Sequence, residues 1–254
     1  MTINYMNIIA GLLLLVIPAY LIWQLDRQQL RATAIGTLRM MVQVAVVGVL
    51  TMLVWRFDSL WLCLLWVVLT TVLTALVLLR RTQLPARRLF LPVAAGLLVS
   101  TLAVGSYELF VVLSPYRPTS AHWVIPVSGV LLAHSLIINI HALHTYIDAL
   151  RGDSLPYYTA IGNGATRLRA LLPYAARALH NGITPTTAKL ATTALFAMPM
   201  LLAGLLMGGL SPLNAAFVFA TLIVAAIVAA MLSLIITLWA ADHQLFDRRG
   251  QFMM

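Results

Sequence analysis

The sequence predicts an all-α, polytopic membrane bundle of about seven transmembrane helices, and three observations carry that expectation. Of the 254 residues, 62% are hydrophobic and only 9% charged, where a soluble domain carries about 25% charged. Apolar stretches of roughly 20 residues, long enough to cross about 30 Å of hydrocarbon, recur from end to end. Too few residues lie outside them to hold a separate nucleotide-binding or catalytic domain of even about 100 residues. The chain therefore reads as a single transmembrane domain over 1–254.

The first span, about 6–25, begins within the N-terminal MTINYMN, which has no basic run. No small-residue cleavage site follows it, so the sequence implies a retained span rather than a signal peptide. Spans 39–55 and 59–79 are separated by so short a link at Arg56–Asp58 that they form an antiparallel hairpin. Spans 89–113 and 121–150 come next, then 185–209 and 213–241, with Gly208-Gly209-Leu210-Ser211-Pro212 turning between the last two. The one long loop, about 151–184, carries TRLRALLPYAARALH. There Leu168, Leu171, Leu172, Ala175 and Leu179 recur at spacings of three and four, with Arg167, Arg169 and Arg177 largely elsewhere on the wheel. This predicts a short amphipathic surface helix, entered through a turn and cap at Gly152-Asp153-Ser154 and Pro156.

Sixteen basic residues against seven acidic leave a formal charge of +9. In a soluble protein that would raise the question of nucleic acid; here it reads as topology, and no nucleic-acid partner is expected. One face collects thirteen arginines (27, 31, 39, 80, 81, 87, 88, 151, 167, 169, 177, 248 and 249), the other only Arg56 and Arg117. Because basic residues gather on the cytoplasmic side, the N-terminus is expected outside and the C-terminal DRRGQFMM in the cytoplasm. The lone lysine, Lys189, begins the sixth span. The lone cysteine, Cys63, lies in an apolar run, so neither a disulfide framework nor a thiolate cluster is available.

An ionisable side chain within a span costs about 2.5–3.5 kcal/mol on insertion scales, so each one calls for a reason. Glu108 is the acidic residue well inside a span, near its outer end. His134, His141 and Asp148 recur every seven residues along the fifth span, near Asn139 and His144. They form a polar stripe that reads either as a cation or proton path or as packing against a neighbour. No HExxH or CxxC spacing marks a tightly bound metal. Gly162-Asn163-Gly164 lacks the Gly-Lys-Ser/Thr of a nucleotide loop, and no GxSxG elbow occurs. Neither a cofactor in this chain nor an enzymatic activity of its own is expected.

Four blocks carry a resemblance. Arg39 and Gln43, followed by Gly48, resemble the Arg-x-x-x-Gln opening of the second span in the FetB-type family of ABC transporter permeases. Ile125-Pro126-Val127-Ser128-Gly129 is similar to that family's Ile-Pro-x-x-Gly, and Gly164-Ala165-Thr166 to the Gly-Ala-Thr of its coupling segment. Pro185, Pro199 with Gly204, then Gly209 and Pro212 fall at the family's spacing. The chain departs from the family pattern at Ala133-His134, Thr159 and Met200.

The resemblance implies a permease of the cell inner membrane. Family members in bacteria are associated with iron export, and plant relatives with aluminium tolerance. It implies two copies of the chain and a separate ABC-type ATPase that holds ATP and Mg. That ATPase would push on Tyr158, Gly162, Gly164, Ala165, Thr166, Arg167 and Arg169. Glu108, His134, His141 and Asp148 are the candidate cargo path. Other readings are a permease for a small organic or lipid-like solute and a passive seven-span channel or sensor. Against a retinal sensor, Lys189 is not in the last span.

The arginine asymmetry makes a direct prediction. A cysteine introduced beside Arg117 labels with an impermeant thiol reagent applied outside intact cells, and one beside Arg87 does not; the reverse pattern would overturn the seven-span topology.

Overall fold

The computed structural model describes residues 13–25, 27–114, 119–196 and 204–246. Its regular elements are helices, and the chain divides into two compact units, Met1–Phe57 and Asp58–Met254. In the first unit α1 (Val16–Leu25) packs on α2 (Arg27–Phe57). Part of the predicted first span, 6–12, lies outside the described residues. The predicted 39–55 span is only the later part of α2. Residues 27–38 contain Arg, Gln, Leu and Ala, good helix formers, and no proline. Charge marks where an apolar span ends, not where a helix does.

The second unit contains α3 (Leu60–Thr82), α4 (Ala86–Tyr107), α5 (Ala121–Gly152), α6 (Leu155–Gly162), α7 (Arg167–Phe196) and α8 (Pro212–Leu245). α4 runs on as a π-helix over Glu108–Val112, where Leu113 N–H donates to the Glu108 carbonyl at 2.9 Å. Among the described residues, five stretches are long and apolar enough to cross a membrane: Gln29–Phe57, Leu60–Thr82, Arg87–Val112, Ala121–Gly152 and Pro212–Asp242. The protein is an all-α polytopic membrane bundle. Residues 197–203 of the expected sixth span, Pro199 among them, lie outside the described residues.

α8 packs chiefly on α4 and α5, and α5 also meets α3 and α7. Small residues set these distances. Ala226, Ala229, Ala230 and Ser233 of α8 are buried, and a Cβ added to Gly96 of α4 would lie 2.8 Å from the Ser233 carbonyl. Lipid tails are as apolar as leucine, so close van der Waals contact and interhelical hydrogen bonds hold such helices together. One of these bonds links α5 to α8: Asn139 Nδ2 donates to Ser233 Oγ at 3.2 Å and to the Ser135 carbonyl at 2.8 Å. Around them Leu78, Leu89, Leu97, Leu143, Ile147 and Leu234 form the buried core.

The loop expected over 151–184 is instead mostly helical. α6 occupies its first part, and α7 joins the predicted amphipathic segment to the start of the sixth span in one 30-residue helix containing Pro173 and Pro185. The buried face of α7 keeps Leu171, Ala175 and Leu179 of the predicted one but differs at two positions. Ala170, Leu171, Tyr174 and Ala178 are buried, while Leu168 and Leu172 are 68% and 64% exposed. The face that meets α5 is chosen by size rather than by hydrophobicity, since a Cβ at Gly182 would lie 3.0 Å from Ala142 Cβ.

At the opposite end of the unit, Asp58 caps α5 from a distance in sequence. Its Oδ1 accepts from Ala121 N–H at 2.8 Å and from Ser120 Oγ at 3.3 Å. Ser120 is itself the N-cap residue. A carboxylate at the positive end of a helix dipole is favourable. Asp58→Ala is expected to lower stability by about 1 kcal/mol and Asp58→Asn by clearly less, both read from thermal unfolding of the purified protein in detergent. Equal midpoints for Asp58→Ala and the parent would remove this cap from the account.

Candidate functional site

The richest polar geometry lies where α5 ends, α6 follows, α7 begins and α8 finishes. α5 has 32 residues, or about 48 Å at 1.5 Å per residue. It is longer than the hydrocarbon layer, so its ends stand clear of it. Ser154 and Pro156 open α6, with proline in the first turn where its missing N–H is no loss. Tyr157 then points inward at 1% exposure, and Tyr158 outward.

α6 closes in a Schellman turn. Ala165 N–H donates to the Ala160 carbonyl and Gly164 N–H to the Ile161 carbonyl, both at 3.0 Å. Gly164 adopts φ 82, the left-handed conformation this turn demands of its C′ residue. A Cβ there would meet nothing within 4 Å, so the requirement is one of backbone and not of space. Ala165 and Thr166 lead directly into α7.

The first residue of α7, Arg167, is bound to the last turns of α8. Its Nε lies 2.9 Å from Asp242 Oδ1 as an ion pair, and a terminal nitrogen donates a hydrogen bond to the Asp242 carbonyl at 2.5 Å. The guanidinium also lies 4.6 Å from the centroid of the Phe246 ring, and that ring is 5.0 Å from Tyr157. Tyr174 Oη donates to the Asp153 carbonyl at 2.7 Å, fastening α7 to the end of α5. An acidic residue and unmet carbonyls coincide at the negative end of α8, and a single arginine answers both. A charge-assisted hydrogen bond of this kind contributes roughly 1.5–3 kcal/mol. Burial pushes the Tyr157 phenol up, with Arg167 opposing, and burial likewise pushes Tyr174 up, so both stay neutral.

Of the residues expected to face an ATPase, Tyr158, Gly162, Gly164, Thr166 and Arg169 are exposed and Ala165 is half-buried. Arg167 is held within the chain. Asp242, Phe246, Tyr157 and Tyr174 were not picked out from the sequence. The available signal was Asp242 itself, an acid in the last turns of a helix, where the dipole disfavours it unless a cation answers.

The polar stripe on α5 faces away from the core of its unit. His141 is exposed, and His134 is half-buried with Nδ1 3.1 Å from the Val130 carbonyl of its own helix. Asp148 pairs with His144 at 2.6 Å, both more than half exposed. The buried face of α5 carries Leu131, Ser135, Ile138, Asn139, Ala142 and Tyr146 instead. Within this unit these three residues therefore lie off the buried face of α5. A seven-residue repeat marks one side of a helix without saying which side is buried. Glu108 is 2% exposed in the π-helix, which packs on α8. Among the described residues no three His, Cys, Asp or Glu side chains are grouped to hold a metal.

Pro126 and Gly129 lie within α5, Gly204 opens a short helical stretch, Gly209 has φ 91, and Pro212 starts α8 behind the N-cap Ser211. Arg39 and Gln43 are exposed on α2 of the first unit. Two hollows accompany these elements. One of about 110 Å³ is almost wholly apolar and is lined by Cys63, Val67, Thr101, Leu109, Val127 and Ser128 among others. The other, about 460 Å³, is an open polar recess beside His144, Asp148, Asp153, Arg177 and Asn181.

The family described as "Uncharacterised protein family (UPF0014)" matches residues 5–246. The chain is 24% identical over 216 residues to "UPF0014 membrane protein slr1647" of Synechocystis sp., covering 85% of this chain and 83% of that one. It is 31% identical over 122 residues to "Protein ALUMINUM SENSITIVE 3" of Arabidopsis thaliana, covering 48% of this chain and 44% of the plant protein. No solved structure matches the chain.

The turn at Gly164 yields a test of its own. Gly164→Val is expected to cost about 1–2 kcal/mol from left-handed backbone alone, and Gly164→Asn much less. Hydrogen exchange of the 155–167 segment should be faster in the valine variant. Equal protection in both variants and the parent would mean that the turn does not depend on glycine.

Proposed function

The chain belongs to the UPF0014 family, and from that premise we propose that it is the membrane-spanning permease subunit of an ABC transporter. It works as two copies with two separate ATPase subunits, which hold ATP and Mg. It resides in the cell inner membrane with its N-terminus outside. The observation that carries this reading is the α6–α7 turn. A short, exposed helix ends in a glycine-dependent turn, and the turn is fastened through Arg167 and Tyr174 to the ends of α8 and α5. A surface that must receive a push from a motor has to be compact, accessible and rigidly joined to the spans, and this one is all three. Motion would then pass as rigid-body displacement of helices.

The cargo in this reading is a metal ion such as iron, exported from the cytoplasm. The name of the plant relative supports a link to metal, and the half-buried His134 with the exposed His141 and Asp148 offers imidazole and carboxylate donors suited to transient ligation. A site that releases its ion at each cycle cannot bind it tightly. The apolar hollow beside Thr101 and Ser128 favours a second reading, in which a small organic or lipid-like solute is carried.

Co-purification of the full chain with a co-expressed ABC-type ATPase from the same organism, followed by reconstitution into sealed vesicles, tests the assignment. Ferrous iron is expected to move in an ATP-dependent manner. His134→Ala and Glu108→Ala, measured separately, are expected to lower both efflux and metal-stimulated hydrolysis by about tenfold or more, the lower end for loss of second-shell or ligand groups at a metal site. Normal efflux in both variants would take the stripe and Glu108 out of the path. Failure of any ATPase to bind would overturn the permease reading.

A further inference from the structure

We propose that Arg167 and Asp242 form a mechanical latch through which displacement of the α6–α7 turn is passed to the last helix, α8. The proposal rests on the permease reading and names the part that carries its motion. Among the described residues α7 and α8 barely touch along their lengths, whereas α8 is packed against α4 and α5. A push on the turn therefore has two ways into the bundle. One runs along α7 into α5, where Tyr174 and Gly182 hold the two helices together. The other runs through Arg167 into α8.

The geometry of the second route suits transmission. Arg167 is the first residue of α7, and it binds both the side chain and the main-chain carbonyl of Asp242. An ion-pair contact and a hydrogen bond made by one planar group at two atoms resist rotation as well as separation, which a single point contact does not. The Phe246 ring covers the guanidinium, and Tyr157 places α6 against the same ring, so α6, α7 and α8 share one contact. Lysine offers a point charge with no fixed fork and cannot reproduce it.

α8 then serves as a rod. Its 34 residues span about 51 Å. Toward the far end α8 packs on the π-helix that extends α4 and begins at Glu108. Single-turn π segments inside helices are local departures from α register and are found often at functional sites. Movement of α8 at the latch thus reaches a segment of α4 already built with an alternative register. In this scheme Arg167 is a positioning residue that acts through α8 and is not a contact for cargo.

The test uses the full chain with its ATPase in lipid nanodiscs. Spin labels on Leu213→Cys of α8 and Tyr107→Cys of α4, both exposed sites, are placed in a Cys63→Ser background. Their distance is measured with and without Mg-ATP and vanadate. The parent is expected to show a nucleotide-dependent shift. Asp242→Ala, Asp242→Asn and Arg167→Lys are each expected to lose most of that shift while Asp242→Ala still binds the ATPase. The swap Arg167→Asp with Asp242→Arg is expected to recover part of it. Arg167→Lys keeps the charge and decides the matter if an Asp242 variant fails to fold. An unchanged shift in Asp242→Ala or Arg167→Lys would overturn the latch and leave the permease reading intact. A parent that binds no ATPase would overturn that reading, and the latch with it.

Discussion

Hydrocarbon offers a peptide group no hydrogen-bonding partner, and the rest of this structure follows from that constraint. Every span must satisfy its own backbone, so the described spans are helices. Burying leucine against leucine gains little in lipid, so the helices are held by how closely they approach. The alanines and Ser233 of α8, Gly96 of α4 and Gly182 of α7 occupy the contacts, while bulky Leu168 and Leu172 are left outward. Asn139 adds a hydrogen bond where the surroundings make an unmet amide costly.

The same constraint concentrates chemistry at helix ends, where backbone groups outnumber their intrahelical partners. Two side chains distant in sequence answer for the ends of the second unit. Asp58 accepts from the start of α5, and Arg167 donates to the last turns of α8. Each sits at the pole whose partial charge it complements. The first organises a tie between helices. The second coincides with a glycine-dependent turn and an exposed short helix, and so places a rigid joint at the surface best suited to receive a partner.

The location of the polar side chains also bears on what can cross. Glu108 is buried where the π-helix packs on α8, while the histidines of α5 stand on the face turned from their unit's core. The two groups are not parts of one cluster within this unit. A path that used the α5 stripe would be completed by whatever covers that face in the assembled transporter.

Fold class and most of the spans were legible in the sequence because apolar length and charge spacing are properties of single segments, decided by the thickness of the bilayer. The turn at Gly208–Pro212 was legible for a similar reason, since glycine and proline impose their geometry locally. The extent of α2, the union of the amphipathic segment with α7, the outward side of the His134–Asp148 stripe and the pairing of Arg167 with Asp242 were not. Each depends on which surfaces meet. Residues 75 apart in sequence are brought together only when the start of α7 meets the end of α8, and a helix wheel is symmetric until a neighbour chooses its face.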